Sequence, residues 1–221
     1  MLIPLAVTAC AAYFLGSIPT GYLVGRARGL DLRQLGSGNI GATNALRVLG
    51  RGAGSFVLLV DALKGFLACT AVPALVRGLV AAPPPPSGVP TSLLPVVGAV
   101  FAVLGHTFTC WLRFKGGKGV ATSAGVLAGL VPVAFAVVLA IFLVVLAAFR
   151  FVSLASLSAA VALPFVTGFA YPDRLRLGLT IVLAVLVVWK HRSNIRRLRE
   201  GTESRLGSKP AAPTTSAPPN P

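Results

Sequence analysis

The chain has 221 residues, of which 55% are hydrophobic and only 11% are charged. A soluble domain carries about 25% charged residues, so this composition excludes an ordinary soluble protein and indicates one that is solvated by lipid. The net charge is +15, but the Lys and Arg residues separate apolar segments instead of covering one face of a domain, which favours cytoplasmic loops over a nucleic-acid interface.

The first half of the chain alternates apolar segments with polar loops. In chain order it has an apolar segment at 2–25, a polar loop at 26–52, an apolar segment at 54–77, a loop with four consecutive prolines at 78–92, an apolar segment at 93–112 and a basic turn at 113–119. The N-terminus lacks the basic region and cleavage site of a secretory signal, so we predict that the first segment is retained as a membrane helix.

Residues 120–149 are too long to form one ordinary membrane helix. They would measure about 45 Å, whereas the hydrocarbon core of a bilayer is about 30 Å thick. Pro132 predicts a break near residue 131, with a short helix at 120–130 and a full one at 132–149. Apolar segments at 152–169 and 175–190 complete a single predicted transmembrane domain at 1–207, and residues 208–221, rich in Pro, Ala, Ser and Thr, are predicted to be a disordered tail.

The distribution of basic residues predicts the topology. Lys and Arg cluster at 26–51, 113–118 and 190–205, whereas 78–92 has no charged residue. The positive-inside rule places the three clusters in the cytoplasm and the Pro-rich loop outside. The fold class is therefore predicted to be an all-α, polytopic membrane protein with seven transmembrane helices and an extracytoplasmic N-terminus. Five helices is the alternative, with 120–149 only partly inserted.

A glycine-rich loop at 36–50 is the first candidate for a phosphate site. Its glycines allow the backbone to turn so that N–H groups converge on an anion, and its polar side chains add donors. These residues are Gly36, Ser37, Gly38, Asn39, Gly41, Thr43 and Asn44, followed by Arg47 with its two-donor guanidinium. The alternative is a polar connecting loop with a helix cap at Thr43 or Ser37.

The second candidate is the turn in which Gly116, Gly117 and Gly119 flank Lys118, directly before an apolar helix that begins at Val120. A helix N-terminus presents free N–H groups and a partial positive charge, which suits phosphate. The spacing is not that of a Walker A motif. The alternative for Lys118 is membrane anchoring by positive charge. His106 precedes this turn in an apolar helix, where a lone histidine is more often structural than catalytic.

Three sets of polar residues have i, i+3 spacing, which places side chains on one helix face. They are Arg150 with Ser153 and Ser156, His191 with Asn194, and Asp61 with Lys64. Charges inside a membrane segment are costly unless paired, so Asp61 and Lys64 are predicted to form a structural ion pair, and a role in the site is the alternative.

Six stretches together resemble the bacterial membrane-integral glycerol-3-phosphate acyltransferases that use acyl-phosphate as donor. They are GSIPTGYLVGR at 16–26, DLRQLGSGNIGATNALRVLG at 31–50, GHTF at 105–108, FKGGKGVAT at 114–122, RFVSLAS at 150–156 and HRSNIRRLREGTE at 191–203. The resemblance implies transfer of a fatty acyl group from acyl-phosphate to the 1-hydroxyl of sn-glycerol 3-phosphate, the first step of phospholipid synthesis. It implies a bacterial inner-membrane enzyme with a cytoplasmic site, and neither a metal nor an organic cofactor.

The resemblance also assigns the site residues. Catalytic roles fall to Ser37, Arg47, Lys118, His191 and Asn194, and substrate-binding roles to Asn39, Thr43, Asn44, Gly116, Gly117, Gly119, Ser153 and Ser156. Arg47 and Lys118 are expected to neutralise phosphate, and the turn 116–119 to hold the acyl-phosphate head. The general base is either His191 or a phosphate oxygen of the substrate. The alternative function is a small transporter for phosphate-bearing solutes, which predicts internal repeats that the chain lacks.

Overall fold

The protein is all-α over residues 2–79 and 91–207, the ranges that a computed structural model describes. The helices are α1 (Leu2–Ser17), α2 (Thr20–Arg26), α3 (Ala42–Leu49), α4 (Arg51–Cys69), α5 (Ala71–Leu79), α6 (Leu93–Thr107), α7 (Val120–Leu130), α8 (Pro132–Phe149), α9 (Val152–Ala170), α10 (Arg174–Lys190) and α11 (Arg192–Arg199), with a short 3-10 helix at Cys110–Leu112. The four prolines of the loop 78–92 and the predicted tail 208–221 lie outside the described residues.

Within the described ranges, five stretches are long and apolar enough to cross a bilayer. They are Leu2–Arg26, Arg51–Leu79, Leu93–Leu112, Pro132–Phe149 and Val152–Ala170. The remaining candidates are shorter, since α7 has 11 residues and α10 has 17. The predicted fold class, an all-α polytopic membrane protein, is confirmed, whereas the count of seven and the outside N-terminus stay predictions.

Proline interrupts the apolar segments where its missing N–H breaks the helical ladder. The predicted break near residue 131 is confirmed, because α7 ends at Leu130 and α8 begins at Pro132. The first segment is also broken, since Ile18 and Pro19 separate α1 from α2. This second break frees the carbonyl of Ile18, which accepts a hydrogen bond from a buried lysine described below.

The interpretation of 26–52 as a continuous polar loop is wrong for residues 42–49, which form α3. Leu32, Ala45 and Val57 make a small buried cluster that fixes α3 against α4. The N-cap of α3 is Gly41, without a side-chain capping bond, so neither Thr43 nor Ser37 caps this helix. Packing on α4 therefore stabilises a helix that the local sequence barely indicates.

Small residues let the helices around the future site approach to backbone contact. A Cβ on Gly65 of α4 would lie 2.1 Å from the carbonyl oxygen of Thr122 in α7, and one on Gly125 would lie 1.8 Å from that of Ala62. Such close packing is typical of membrane helices, where van der Waals contact replaces the hydrophobic effect as the main attraction. It holds the N-terminus of α7 firmly beside α4 and α6.

Candidate functional site

Polar side chains from several distant parts of the chain surround one cavity of about 470 Å³. Every residue assigned to the site lines this cavity except Gly116 and Gly117. The lining residues are Ser37, Asn39, Thr43, Asn44 and Arg47 on one side, Lys118 and Gly119 at the start of α7, Ser153 and Ser156 on α9, and His191 and Asn194 at the start of α11. The tertiary structure thus brings together residues that are more than a hundred positions apart in sequence.

Several helix N-termini open into this cavity. The lining includes Gly41–Thr43 at the start of α3, Gly119–Ala121 at the start of α7, and Val152 and Ser153 at the start of α9. The first amides of a helix have no intrahelical partner and carry the positive end of the helix dipole. The cavity is therefore suited to an anion even before its side chains are considered.

Lys118 is held by a hydrogen-bond network that ends on Glu203. Its ammonium donates to Asn194 Oδ1, while Asn194 Nδ2 donates to Glu203 Oε1 over 2.6 Å. Ser153 Oγ donates to the same oxygen over 2.6 Å, and Arg197 Nε donates to Oε2 over 2.7 Å. Glu203 and Arg197 are thus cavity-lining residues that the assignment missed, although both lie in the quoted stretch 191–203.

The charges of this network perturb its titration. Burial, together with the positive charges of Arg197 and Arg47, outweighs the opposing effect of Glu203 and lowers the pKa of Lys118 to about 8. Burial raises the pKa of Glu203, but the hydrogen bonds from Ser153, Asn194 and Arg197 outweigh it and hold this carboxyl below its ordinary pKa. The cavity is consequently short of negative charge, and a bound phosphate would stabilise the Lys118 ammonium.

Arg47 is a cation that points into the same cavity from α3. Over the ranges 2–79 and 91–207, its guanidinium makes neither a hydrogen bond nor an ion pair with the protein. Since guanidinium presents paired donors that match two phosphate oxygens, Arg47 remains available for a phosphate-bearing ligand.

His191 is neutral at physiological pH. Burial lowers its pKa to about 4, and the nearby Lys118 ammonium acts in the same direction. The ring nitrogen Nδ1 lies 2.7 Å from the carbonyl oxygen of Val187. Because a carbonyl only accepts, Nδ1 carries the proton and Nε2 keeps its lone pair. His191 can accept a hydrogen bond from a substrate hydroxyl, but it is a weak base.

Asn44 organises the glycine-rich loop from inside. Its Oδ1 accepts from the backbone N–H of Ser37 over 2.9 Å, and its Nδ2 lies near three backbone carbonyls, those of Leu32, Leu35 and Asn39. These contacts shape the wall that carries Arg47. A direct substrate contact of Asn44 stays a prediction.

One sequence-based expectation needs correction, and another gains a structural context. Arg150 does not share a helix face with Ser153 and Ser156, because it lies between α8 and α9 in the left-handed conformation with a φ of 63°. Its guanidinium instead donates to the carbonyl oxygen of Leu206 over 3.0 Å. Gly116 and Gly117 lie behind the cavity wall, and their amides donate to carbonyls at the end of α6. A substrate contact of either glycine stays a prediction.

The predicted pair of Asp61 and Lys64 is confirmed and belongs to a larger buried cluster. Lys64 Nζ lies 2.8 Å from Asp61 Oδ1 and donates to the carbonyl oxygen of Ile18 over 2.8 Å. Thr20 Oγ1 donates to Asp61 Oδ1 over 3.0 Å, and His106 Nδ1 lies 3.7 Å from the same oxygen. Asp61 and His106 also line the polar cavity.

A second cavity of about 560 Å³ adjoins the first and is almost entirely apolar. Thr43, Val120, Phe142 and Val152 belong to the walls of both. Aliphatic and aromatic side chains of α4, α7, α8, α9 and α10 line the rest, and Leu206 closes one side. The two cavities together suit a molecule with an anionic head and an apolar tail.

Known proteins share this sequence and this fold. The family model for glycerol-3-phosphate acyltransferase matches residues 6–201. A glycerol-3-phosphate acyltransferase of Geobacter sulfurreducens is 48% identical over 206 residues, which covers 93% of this chain and 99% of the relative. One of Geotalea daltonii is 46% identical over 193 residues and covers 87% and 93%.

Two crystal structures of PlsY (YgiH), an integral membrane glycerol 3-phosphate acyltransferase, resemble this fold. The glycerol 3-phosphate form has a TM-score of 0.80 and 35% identity, with 92% of this chain and 96% of that chain covered. The lysophosphatidic acid form has a TM-score of 0.77, 34% identity, and coverage of 92% and 95%. Sequence and fold agree over nearly the whole length of both partners, and the chain belongs to the glycerol-3-phosphate acyltransferase family.

Proposed function

We propose that this protein transfers a fatty acyl group from acyl-phosphate to the 1-hydroxyl of sn-glycerol 3-phosphate, giving 1-acyl-glycerol 3-phosphate and phosphate. The observation that carries the proposal is the junction of a cation-lined polar cavity with an apolar one. Both substrates bear phosphate, and only the donor bears an acyl chain. Family membership supports the acceptor, since the relatives are named for glycerol 3-phosphate.

The two phosphate groups have separate partners in the polar cavity. Within the described residues, the guanidinium of Arg47 on α3 has no protein partner, and Lys118 offers an ammonium next to the first amides of α7, those of Val120 and Ala121. Hydrogen bonds between ionised partners are about twice as strong as those between neutral ones. We assign Arg47 to the acceptor phosphate, and Lys118 with the start of α7 to the acyl-phosphate.

The apolar cavity holds the acyl chain in this proposal. Val120, Phe142 and Val152 form the boundary at which the carbonyl carbon of the donor would stand. A chain that leaves this boundary between α4, α7, α8 and α9 buries its methylenes, each with a gain of about 0.8 kcal/mol. The reacting carbonyl then stays beside the polar cavity while the tail stays out of water.

The acyl carbonyl carbon is attacked by the acceptor hydroxyl oxygen, the bond to the phosphate oxygen breaks, and the hydroxyl proton goes to phosphate. With a pKa of about 4, His191 is a poor proton acceptor. A phosphate monoester has a second pKa of about 6, so a phosphate oxygen is the stronger base. His191 Nε2 then orients the hydroxyl, and free amides at the start of α7 face the developing oxyanion.

The enzyme is placed in the bacterial inner membrane, with seven helices and the cavity on the cytoplasmic side. The basic segments 26–51, 113–118 and 190–205 all adjoin the cavity-lining residues, which supports a single orientation for the site. Residues 1–207 are proposed to act as one domain, because the cavity draws on residues from Gly36 to Ser204.

Purified protein in detergent tests the reaction directly. Palmitoyl-phosphate should release phosphate rapidly only when glycerol 3-phosphate is present, with stoichiometric formation of the 1-acyl product. Palmitoyl-CoA at the same concentration should give little product. Turnover with palmitoyl-CoA and none with palmitoyl-phosphate would contradict the proposed donor. Uptake of glycerol 3-phosphate into proteoliposomes without any acylation would favour the transporter.

A further inference from the structure

The turn 116–119 rests on the last turn of α6. The amide of Gly116 donates to the carbonyl oxygen of Thr107 over 3.1 Å, and that of Gly117 donates to His106 O over 3.0 Å. These two bonds leave Lys118, the next residue, projecting into the polar cavity. The position of the Lys118 ammonium therefore depends on where α6 ends and on what fills the space beneath the turn.

The imidazole of His106 fills that space. A Cβ on Gly117 would lie 2.1 Å from His106 Nε2, so the ring edge sits directly under the Gly117 backbone. A Cβ on Gly116 would also lie 2.1 Å from His106, but from its backbone oxygen. Neither glycine has a positive φ. Close approach to His106, rather than backbone conformation, is what requires glycine at both positions.

The other edge of the imidazole faces a buried charged cluster. His106 Nδ1 lies 3.7 Å from Asp61 Oδ1, which also accepts from Thr20 and Lys64. Asp61 is only 2% exposed and His106 only 5% exposed. Thr20 and Lys64 fix the Asp61 carboxylate, so the imidazole is confined between this carboxylate and the Gly117 backbone, which restricts the tilt of the ring.

We propose that His106, oriented by Asp61, is a positioning residue that seats the turn 116–119 and thereby determines where the Lys118 ammonium stands. The inference rests on the proposed function, since it concerns how the phosphate-binding lysine is placed. A misplacement of about 1 Å can cost about 100-fold in rate. His106 thus influences catalysis through Lys118 and the turn, without transferring a proton.

The substitution His106→Asn isolates this role. The asparagine amide stays within reach of Asp61 but removes the ring edge that supports Gly117. We expect kcat/KM for palmitoyl-phosphate and glycerol 3-phosphate to fall by about 10- to 100-fold. The KM for palmitoyl-phosphate, the substrate assigned to Lys118, should rise. A purely structural role would lower only the folded fraction, so an unchanged KM and kcat per folded molecule would overturn the proposal.

A double-mutant cycle with Gly117 makes the test sharper. Gly117→Ala alone should impair both activity and the thermal midpoint in detergent, because its Cβ meets the imidazole. His106→Asn opens room for that methyl, so the double variant should be at least about fivefold more active than Gly117→Ala and should melt higher. Multiplicative losses in the double variant would refute the contact. If His106→Asn does not fold, His106→Gln, whose flexible amide can swing aside, replaces it.

Gly116→Ala provides the matched control. Its Cβ meets the backbone oxygen of His106, which no side-chain change removes, so His106→Asn should not rescue it. Equal rescue of both alanine variants would show general loosening of α6 and overturn the proposal. The thermal midpoints report on this contact whatever the donor is, whereas inactive wild-type protein would contradict the proposed function alone.

Discussion

Lys118 offers the most direct test of the site, because a substitution that keeps its charge but changes its shape distinguishes phosphate binding from membrane anchoring. It is half-buried between Gly117 and Gly119, and its ammonium donates to Asn194 Oδ1. If only positive charge mattered, as for membrane anchoring, Lys118→Arg would be nearly silent. If the ammonium binds phosphate in this corner, the broader guanidinium cannot reproduce the contact with both Asn194 and the ligand.

The expected magnitude follows from that lost contact. A hydrogen bond to a charged group contributes about 1.5–3 kcal/mol, which corresponds to roughly 10- to 150-fold in kcat/KM if it acts in the transition state. We therefore expect Lys118→Arg and Lys118→Ala to reduce kcat/KM for palmitoyl-phosphate by at least about tenfold, at an unchanged folded fraction.

Lys115 supplies the control, because it is exposed in the same basic segment and does not line the cavity. Lys115→Arg and Lys115→Ala should retain near-wild-type kinetics. The assay is phosphate release from palmitoyl-phosphate in the presence of glycerol 3-phosphate. The rate is divided by the amount of folded protein, which the amplitude of the thermal unfolding transition reports. Near-wild-type activity of Lys118→Arg would return this residue to an anchoring role and refute the reasoning.

Three further predictions use other parts of the site. Arg47→Lys should raise the KM for glycerol 3-phosphate by about tenfold or more, because one ammonium cannot replace a two-donor guanidinium; an unchanged KM would argue against a phosphate contact. His191 has a folded pKa of about 4 against an unfolded value near 6.5, so the unfolded chain binds more protons between these pH values and stability should fall as pH drops from 6.5 towards 4. The loss of stability should be smaller in His191→Asn. An identical pH dependence of the thermal midpoint in the wild type and the variant would contradict this prediction. A single cysteine at Lys115, on a background without Cys10, Cys69 and Cys110, should resist membrane-impermeant labelling in intact cells, and labelling from outside would refute the cytoplasmic placement.

Much of the fold could be predicted because membrane helices leave strong local signals. Apolar length, the break at Pro132 and the helix that begins at Val120 all follow from residues that are adjacent in sequence. α3 was not predicted as a helix, because its eight residues gain stability mainly from packing on α4. Arg150 was misplaced because i, i+3 spacing predicts a shared face only where a helix exists, and the chain turns at this residue.

By itself, the sequence determined that this protein is integral to a membrane. It also determined the positions of the basic segments and the polar residues that belong to the family's motifs. It also predicted that Arg47 and Lys118, which line the same cavity, are phosphate partners. Only the tertiary structure decided that several helix N-termini meet in one cavity, that Glu203 joins Ser153 to Asn194, and that the glycines at 116 and 117 lie against His106. The physical reason is separation along the chain. Helical periodicity and charge clusters can be recognised from residues close in sequence, whereas a binding cavity arises from contacts between residues far apart in the chain.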